Sequence, residues 1–476
     1  MLFGSTGLGA STSAQTIVSK LPPELKGQGL PEPDGEVTFE EITPEKLAEM
    51  QAQQMAKMKA AAELAKANAG KFDLSKNARY LHYSLSGLPE PYESLDTNRL
   101  TLAHFCIQSL YILKDQRLFH VLKGKEVRDR MIKWIYNLKV TQVLDGSDGG
   151  EPKTVEGFVG GTFLGNAFKD VFQSPSSAAP NASDTPTSVH LAMTYCALLT
   201  LLTLGDDLSH VDAHRIMLGV KSLQNLDREK DGILFGSFKS HGEGSESDMR
   251  FCYCALTIER VLWKLLHPQQ PWNGKDSTYV DKGALLEFVK RSKCYDGGIA
   301  LLPDQESHGG SYFTGLATLE LMGSVDEVFK DRAEPIDWGV MRQIGGMQGR
   351  RGKVEDTCYS YWVGGGLNIL DGGENLYLDK EPLHKYILKC QHPMYGGFGK
   401  AEGAPPDVLH TFYSLGYLSL SGFAGEGAEG GLGDIDVTLG CSKEAGDWIR
   451  DVDKTYEVQV KEKELRELQA LKAAST

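Results

Sequence analysis

Residues 350 to 359 read Arg-Arg-Gly-Lys-Val-Glu-Asp-Thr-Cys-Tyr, so Arg350, Arg351 and Lys353 stand beside the Asp356 carboxylate, the Cys358 thiol and the Tyr359 phenol. An Asp and a Cys two apart cannot share a helical face. They point together if the Asp caps the helix and the Cys lies in its first turn. His410 falls at the corresponding place one sequence repeat later. A carboxylate, a thiolate and an imidazole converging from two helix starts form a three-ligand zinc site, and an open fourth position is what catalytic zinc uses. Each residue has a commoner employment: a cap, a buried thiol, a core imidazole. The neighbours favour the metal. Arg350, Lys353, His308 and Tyr359 supply the fork, point-charge and phenol donors that a bound diphosphate requires, and helix N-termini add positive potential. Arg351 alone reads as a plain surface cation. Zinc would hold an incoming thiol as thiolate near neutral pH while the cations stabilise a departing diphosphate. The chemistry these residues suit is alkylation of a cysteine sulfur by an allylic diphosphate.

Such residues need elements that bring them together, and the sequence repeats itself. Gly297, Gly345 and Gly396 each open a Gly-Gly step, and 11 positions on come His308, Asp356 and Asp407 at the start of an apolar run. Counting five from His190, Asp248, His308, Asp356 and Asp407 reaches Tyr195, Tyr253, Phe313, Tyr361 and Phe412. Phe105, five after Leu100 in "RLTLAHFCIQSLYIL", makes a sixth. Stretches such as "YVDKGALLEFVKRSKC" and "EPLHKYILKCQ" lie between and have the one-sided periodicity of outer helices. Six helical pairs repeating at roughly 50 residues make an open solenoid or a closed ring, and inner helices with small residues all round favour the ring. In a ring, His190, Arg250, His308, Asp356 and His410 rim one cavity. The aromatic set is core by default; lining a cavity, it also holds a long apolar chain.

The bulk composition limits the alternatives. The chain has 476 residues, 41% of them hydrophobic, enough for one large globular unit with flanking extensions. A formal net charge of -14 argues against a nucleic-acid binder. The eight cysteines form no CxxC pairs and the start lacks a signal-peptide layout, which reads as reduced thiols in the cytoplasm. "LAMTYCALLTLLTLG" is too short to span a bilayer and reads as a buried helix, so no transmembrane segment is expected. Residues 1–75 read as an extension, partly disordered, with one polar helix between Thr43 and Gly70; 76–452 read as the ring and 453–476 as a charged helical tail. A Ser/Pro-rich insertion begins at Ser174 and a Gly-rich stretch surrounds Glu426.

The segments "SESDMRFCYCA", "ESHGGSYFTGLATLELMG", "GRRGKVEDTCYSYWVG" and "GGFGKAEGAPPDVLHTFYSLGYLSL" resemble the protein prenyltransferase β subunits over residues 76–452, and within them the type I geranylgeranyltransferases. The resemblance implies an all-α fold, an α6/α6 toroid of six inner and six outer helices. It implies an obligate α subunit that contributes a further catalytic lysine, and transfer of a C20 group from geranylgeranyl diphosphate to the Cys of a C-terminal CaaX sequence, X being Leu or Phe, on Rho-type small GTPases. By this resemblance Asp356, Cys358 and His410 hold one zinc ion, while His308, Arg350, Lys353 and Tyr359 bind the diphosphate, with Lys353 and Tyr359 also counted as catalytic. Arg250 reaches the peptide carboxylate through water, His190 lines the peptide groove, Trp362 borders both substrates, and Phe105 and Leu409 belong to the same substrate-binding set. Thr101 stands where farnesyltransferases carry a bulky Trp, which leaves room for a fourth isoprene. Lys400 stands where they carry a magnesium-binding Asp, so no magnesium requirement is expected. The rival readings are a farnesyltransferase or Rab geranylgeranyltransferase β subunit, a non-catalytic helical-repeat scaffold, and a terpene cyclase, which the missing DxDD stretch disfavours.

Overall fold

The computed structural model describes residues 70–120, 123–144, 151–161, 188–425, 427–428 and 430–453. The helix expected between Thr43 and Gly70, the Ser/Pro insertion and the tail beyond 453 lie outside the described residues.

Among the described residues twelve α-helices of eight residues or more alternate between two environments. The odd-numbered ones are α1 (Leu74–Ser86), α3 (Lys125–Tyr136), α5 (Ala213–Ser222), α7 (Lys282–Ser292), α9 (Ala333–Val340) and α11 (Lys380–Lys389). The even-numbered ones are α2 (Arg99–Ile112), α4 (Leu191–Thr203), α6 (Met249–Leu266), α8 (Gly309–Leu321), α10 (Cys358–Leu370) and α12 (Val408–Leu420). Every residue of α4 except Tyr195 is buried, as an all-apolar helix demands. The hydroxyls such a helix carries turn inward: Thr200 donates to the Cys196 carbonyl and Thr318 to that of Thr314. In α11, by contrast, only Leu383 and Ile387 are buried, one stripe at i and i+4 with charge on the other faces.

Packing closes the ring. Helix α2 packs on α4, α4 on α6, α6 on α8, α8 on α10, α10 on α12, and α12 returns to α2. Outer helices α1, α3, α5 and α9 lie against α2, α4, α6 and α10. All six inner starts expected from the sequence are present, and the expected outer segments are α7 and α11. Helix α1 begins at Leu74, and Phe72 just ahead of it is buried.

Glycine fixes how one repeat meets the next. Gly297 (φ 86°) and Gly396 (φ 76°) each turn against the following outer helix; a Cβ would sit 2.3 Å from the Glu334 carbonyl oxygen in α9, or 2.4 Å from the Lys76 carbonyl in α1. Gly236 (φ 90°) does the same against Ala284 of α7, a step the Gly-Gly pattern had not revealed because Ser237 follows it.

Among the described residues four antiparallel hairpins interrupt the helices: β1 (Lys139–Leu144) with β2 (Lys153–Phe158), β3 (Phe238–Lys239) with β4 (Ser247–Asp248), β5 (Phe398–Gly399) with β6 (Pro406–Asp407), and β7 (Ile435–Asp436) with β8 (Cys441–Ser442). The last of these seats at the end where the inner helices finish. Ser442 N donates to Gln108 Oε1 (3.0 Å), its hydroxyl meets Thr203 Oγ1 (3.0 Å), and Gly433 N donates to the carbonyl of Ile112, the last residue of α2 (2.7 Å). The Gly-rich stretch around residue 426 is therefore the lead into this hairpin. Among the described residues no helix is long and apolar enough to cross a membrane.

Candidate active site

The start of α10 is held from two sides. Asp356 N donates to the Met347 carbonyl (3.0 Å) within its own loop, while Thr357 donates from N and from Oγ1 to the carbonyls of Lys400 and Gly399 (2.9 and 2.8 Å) at the end of β5. That second attachment draws the α12 start against the α10 start. Thr357, just ahead of Cys358, already has helical dihedrals and makes no side-chain cap, so Asp356 acts as the cap: its Oδ1 accepts from Cys358 N–H (3.0 Å), which turns carboxylate and thiol the same way. In α12, Asp407 caps the helix through His410 N (2.8 Å) and its Oδ2 also engages His410 Nδ1 (2.6 Å). His410 Nε2 then lies 3.2 Å from Asp356 Oδ1. The ligand atoms of Asp356, Cys358 and His410 all fall within 4.8 Å of one another.

Electrostatics suit a cation here. Burial alone would raise the Asp356 carboxyl, yet hydrogen bonds from His410 and Cys358 outweigh it and hold it below the usual range. Burial pushes the Cys358 thiol up to about 12. Burial would also disfavour imidazolium at His410, but the Asp356 and Asp407 carboxylates override it and lift its pKa to about 12. A buried thiol beside a strongly paired imidazolium is what a metal must deprotonate, and a carboxylate on Nδ1 presents Nε2 to the metal. The donor set therefore fits a divalent ion such as zinc. Asp407, which the sequence marks only as a helix starter, is the residue that orients the imidazole.

The polar neighbours stand around this trio. Lys400 Nζ is 3.9 Å from Asp356 Oδ2 and half exposed. His308 Nδ1 accepts from Gly310 N (3.0 Å), which puts the proton on Nε2, and Nε2 lies 3.0 Å from Tyr359 Oη. Burial, reinforced by Arg350, holds the His308 pKa down at about 4, so the imidazole is neutral. The Tyr359 ring lies against Gly349 and Gly309, where a Cβ would come within 2.1 and 2.8 Å of it, and Gly309 N ties the two loops together on Gly349 O (2.8 Å). Arg350 Nη1 rests 3.2 Å from Glu306, both exposed, and Arg351 and Lys353 are exposed. Glu355 accepts from Gly346 N (2.6 Å) and so closes the Gly-Gly loop.

Residues 72–461 match the prenyltransferase alpha-alpha toroid domain. The geranylgeranyl transferase type-1 subunit beta of Arabidopsis thaliana is 34% identical over 364 residues, covering 74% of this chain and 84% of that protein. The chain belongs to the protein prenyltransferase β-subunit family. The Dictyostelium discoideum geranylgeranyl transferase type-1 subunit beta is 32% identical over 72% of this chain and 89% of its own, and the Schizosaccharomyces pombe protein farnesyltransferase subunit beta 28% identical over 80% and 86%. A solved structure of Candida albicans protein geranylgeranyltransferase-I complexed with GGPP shares the fold, with TM-score 0.60 at 23% identity over 80% of this chain and 98% of that one.

Within this prenyltransferase ring the remaining expected residues fall into two groups. Arg250 and His190 meet around Phe251, the guanidinium 5.3 Å and the imidazole 6.3 Å from its ring centre. Arg250 is already gripped by its own turn, with Nη2 2.6 Å from both Asp248 and Glu246, two carboxylates the sequence reading had not connected to it. His190 stacks on His241 (5.5 Å), and burial lowers its pKa to about 4. The second group lines the interior: Thr101 donates to Met193 Sδ (3.3 Å), Phe105 stacks on Phe412 (5.4 Å), and Trp362 packs on Tyr413 (4.2 Å). Leu409, beside His410, is partly exposed.

Proposed function

We propose that this chain is the catalytic β subunit of a protein geranylgeranyltransferase type I. It transfers a C20 group from geranylgeranyl diphosphate to the cysteine of a C-terminal CaaX sequence, X being Leu or Phe, on Rho-type small GTPases. It works in the cytoplasm as an obligate heterodimer with a prenyltransferase α subunit. The observation that carries the reading is the Asp356, Cys358 and His410 trio, its ligand atoms within 4.8 Å, beside the Lys400 ammonium and the His308–Tyr359 pair. Zinc held there supplies Lewis acidity that favours the thiolate of the peptide cysteine. The chain's own groups do the rest: Arg350, Lys353 and the Tyr359 hydroxyl receive the diphosphate as its C–O bond breaks and the C–S bond forms. Lys400 takes the place of a second metal, so no magnesium is required. Neutral His308 fixes the Tyr359 phenol, and Arg250 and His190 receive the CaaX terminus.

Specificity for C20 rests on Thr101, a small side chain buried against Met193 and Cys196. Similarity to two type-1 β subunits at 34% and 32% identity supports the same choice over farnesyl transfer. The test is the chain co-expressed with an α subunit: zinc content, then competition between C15 and C20 diphosphates for a Cys-peptide ending in Leu, without magnesium. One zinc and C20 transfer are expected. C15 transfer would overturn the role of Thr101, and absence of both zinc and transfer would overturn the function.

A further inference from the structure

A closed ring has a seam where its first repeat meets its last. Gln391, just after α11, accepts from Asp73 N (3.1 Å) and Asn77 Nδ2 (2.9 Å) and donates to Lys71 O (2.9 Å). Asn77 accepts from Gly397 N (2.8 Å), and Lys76 Nζ donates to Pro393 O (2.9 Å). One turn further along α1, the Tyr80 ring lies on Gly397, where a Cβ would stand 2.7 Å from it. Tyr92 heads the seam. It belongs to a 3-10 segment (Glu90–Asn98) between α1 and α2, capped by Pro89, and Pro91 fixes the backbone just before it. Its hydroxyl oxygen accepts from Val408 N (3.1 Å), at the first residue of α12, and from the Tyr80 hydroxyl. The first N–H groups of a helix have no partner within it, and Val408 is wholly buried, so the phenol supplies what the helix cannot. Burial, with the Asp407 carboxylate adding to it, pushes the Tyr92 pKa up to about 12, so the group stays a neutral phenol.

From this arrangement we infer that Tyr92 is a positioning residue for His410: it fixes the start of α12 against the first repeat and so sets where the imidazole stands relative to Asp356 and Cys358. The inference rests on the zinc site proposed above and adds to it a residue 316 positions before the N–H it holds. Asp356 and Cys358 share one helix start and move together. His410 is the lone ligand on α12, and its Nε2, 3.2 Å from Asp356 Oδ1, keeps that spacing only while the α12 start stays in place. Metal coordination tolerates errors of a few tenths of an ångström, so a small shift of α12 weakens the ion long before it unfolds the ring. Asp407 turns the imidazole; Tyr92 places the helix that carries both. The Gln391 amide grips the same α1, but its three bonds go to Lys71, Asp73 and Asn77, away from the α12 start. It separates holding the seam from holding the ligand.

The test uses the heterodimer with an α subunit, zinc affinity being read by chelator competition and stability by denaturant titration. Tyr92→Phe should weaken zinc about tenfold, the scale of one buried N–H left without its acceptor. Gln391→Leu, which removes three hydrogen bonds from the same seam, should lose more stability yet leave zinc affinity unchanged. With cobalt in place of zinc, Tyr92→Phe should shift the ligand-field bands and keep the sulfur charge-transfer band, because His410 moves and Cys358 does not. Should Tyr92→Phe fail to fold, Tyr80→Phe reads the same contact through its second donor, with a smaller fall in zinc affinity expected. An unchanged affinity in the folded tyrosine variant, or losses in both seam variants that track stability alone, would overturn the positioning role and leave the zinc site standing. A parent heterodimer that binds no zinc would overturn the site and this inference together.

Discussion

The two ends of the ring are built from the same six helices and solve opposite problems. At the end where the inner helices begin, Asp356, Cys358 and His410 crowd together and compete for one another's protons. Deeper in the ring, the Tyr195, Tyr253 and Tyr361 hydroxyls and the Val437–Leu439 carbonyls, carried in by the hairpin seated at the other end, satisfy one another pair by pair. Proximity of polar groups is common to both. What separates a site from a scaffold is whether the groups must give up protons to a ligand: the first end holds a protonated thiol and imidazolium beside a carboxylate, whereas the phenols and carbonyls of the second are neutral and paired.

Substitutions can break this contrast. The largest effect belongs to His410→Ala and Cys358→Ser: each should reduce bound zinc from one per chain to background and abolish transfer, checked by metal analysis and a single-turnover assay. Next comes Asp407→Asn, which keeps the cap but weakens the grip on Nδ1; zinc affinity should fall about 10- to 100-fold in a chelator competition while the fold persists. Tyr359→Phe removes the phenol at His308 and should lower kcat/KM for the diphosphate about tenfold, with zinc content intact. The smallest is at the other end: Gly440→Ala puts a Cβ against Tyr195 at positive φ and should lower stability by about 1–2 kcal/mol in a denaturant titration, leaving zinc affinity alone.

The sign of the pH dependence sharpens the same point. Metal-free Cys358 and His410 are both held up at about 12, so both are protonated at neutral pH and zinc must expel a proton from each. Zinc affinity should therefore climb with pH from 6 to 8, by about tenfold per unit for each proton released. An affinity flat over that window would mean that neither the thiol nor the imidazole is a ligand, and a rise of only about tenfold per unit that just one of them is.

Much of this was legible in the sequence because the repeat is carried by residues with strong local rules. Gly297 and Gly396 mark positive-φ turns, and His308, Asp356 and Asp407 stand at or beside the helix starts that follow them. From those starts the closure of six pairs followed. What stayed hidden depends on contacts far apart in the chain. Asp407 was visible as a cap, but its second oxygen on His410 Nδ1 is a matter of side-chain orientation. Arg250 was legible as a cation, whereas its capture by Asp248 and Glu246 needed the β3–β4 hairpin. The turn at Val437–Gly440 carries no periodic signal, and only the folded ring shows which tyrosines it serves.

Cobalt exchanged for zinc reports a thiolate ligand at Cys358 most directly, by absorption. The wild-type heterodimer should show a sulfur-to-cobalt charge-transfer band that is lost in Cys358→Ser and gains intensity when a Cys-peptide enters the open position. Stoichiometric cobalt without that band, or a band that survives Cys358→Ser, would contradict it.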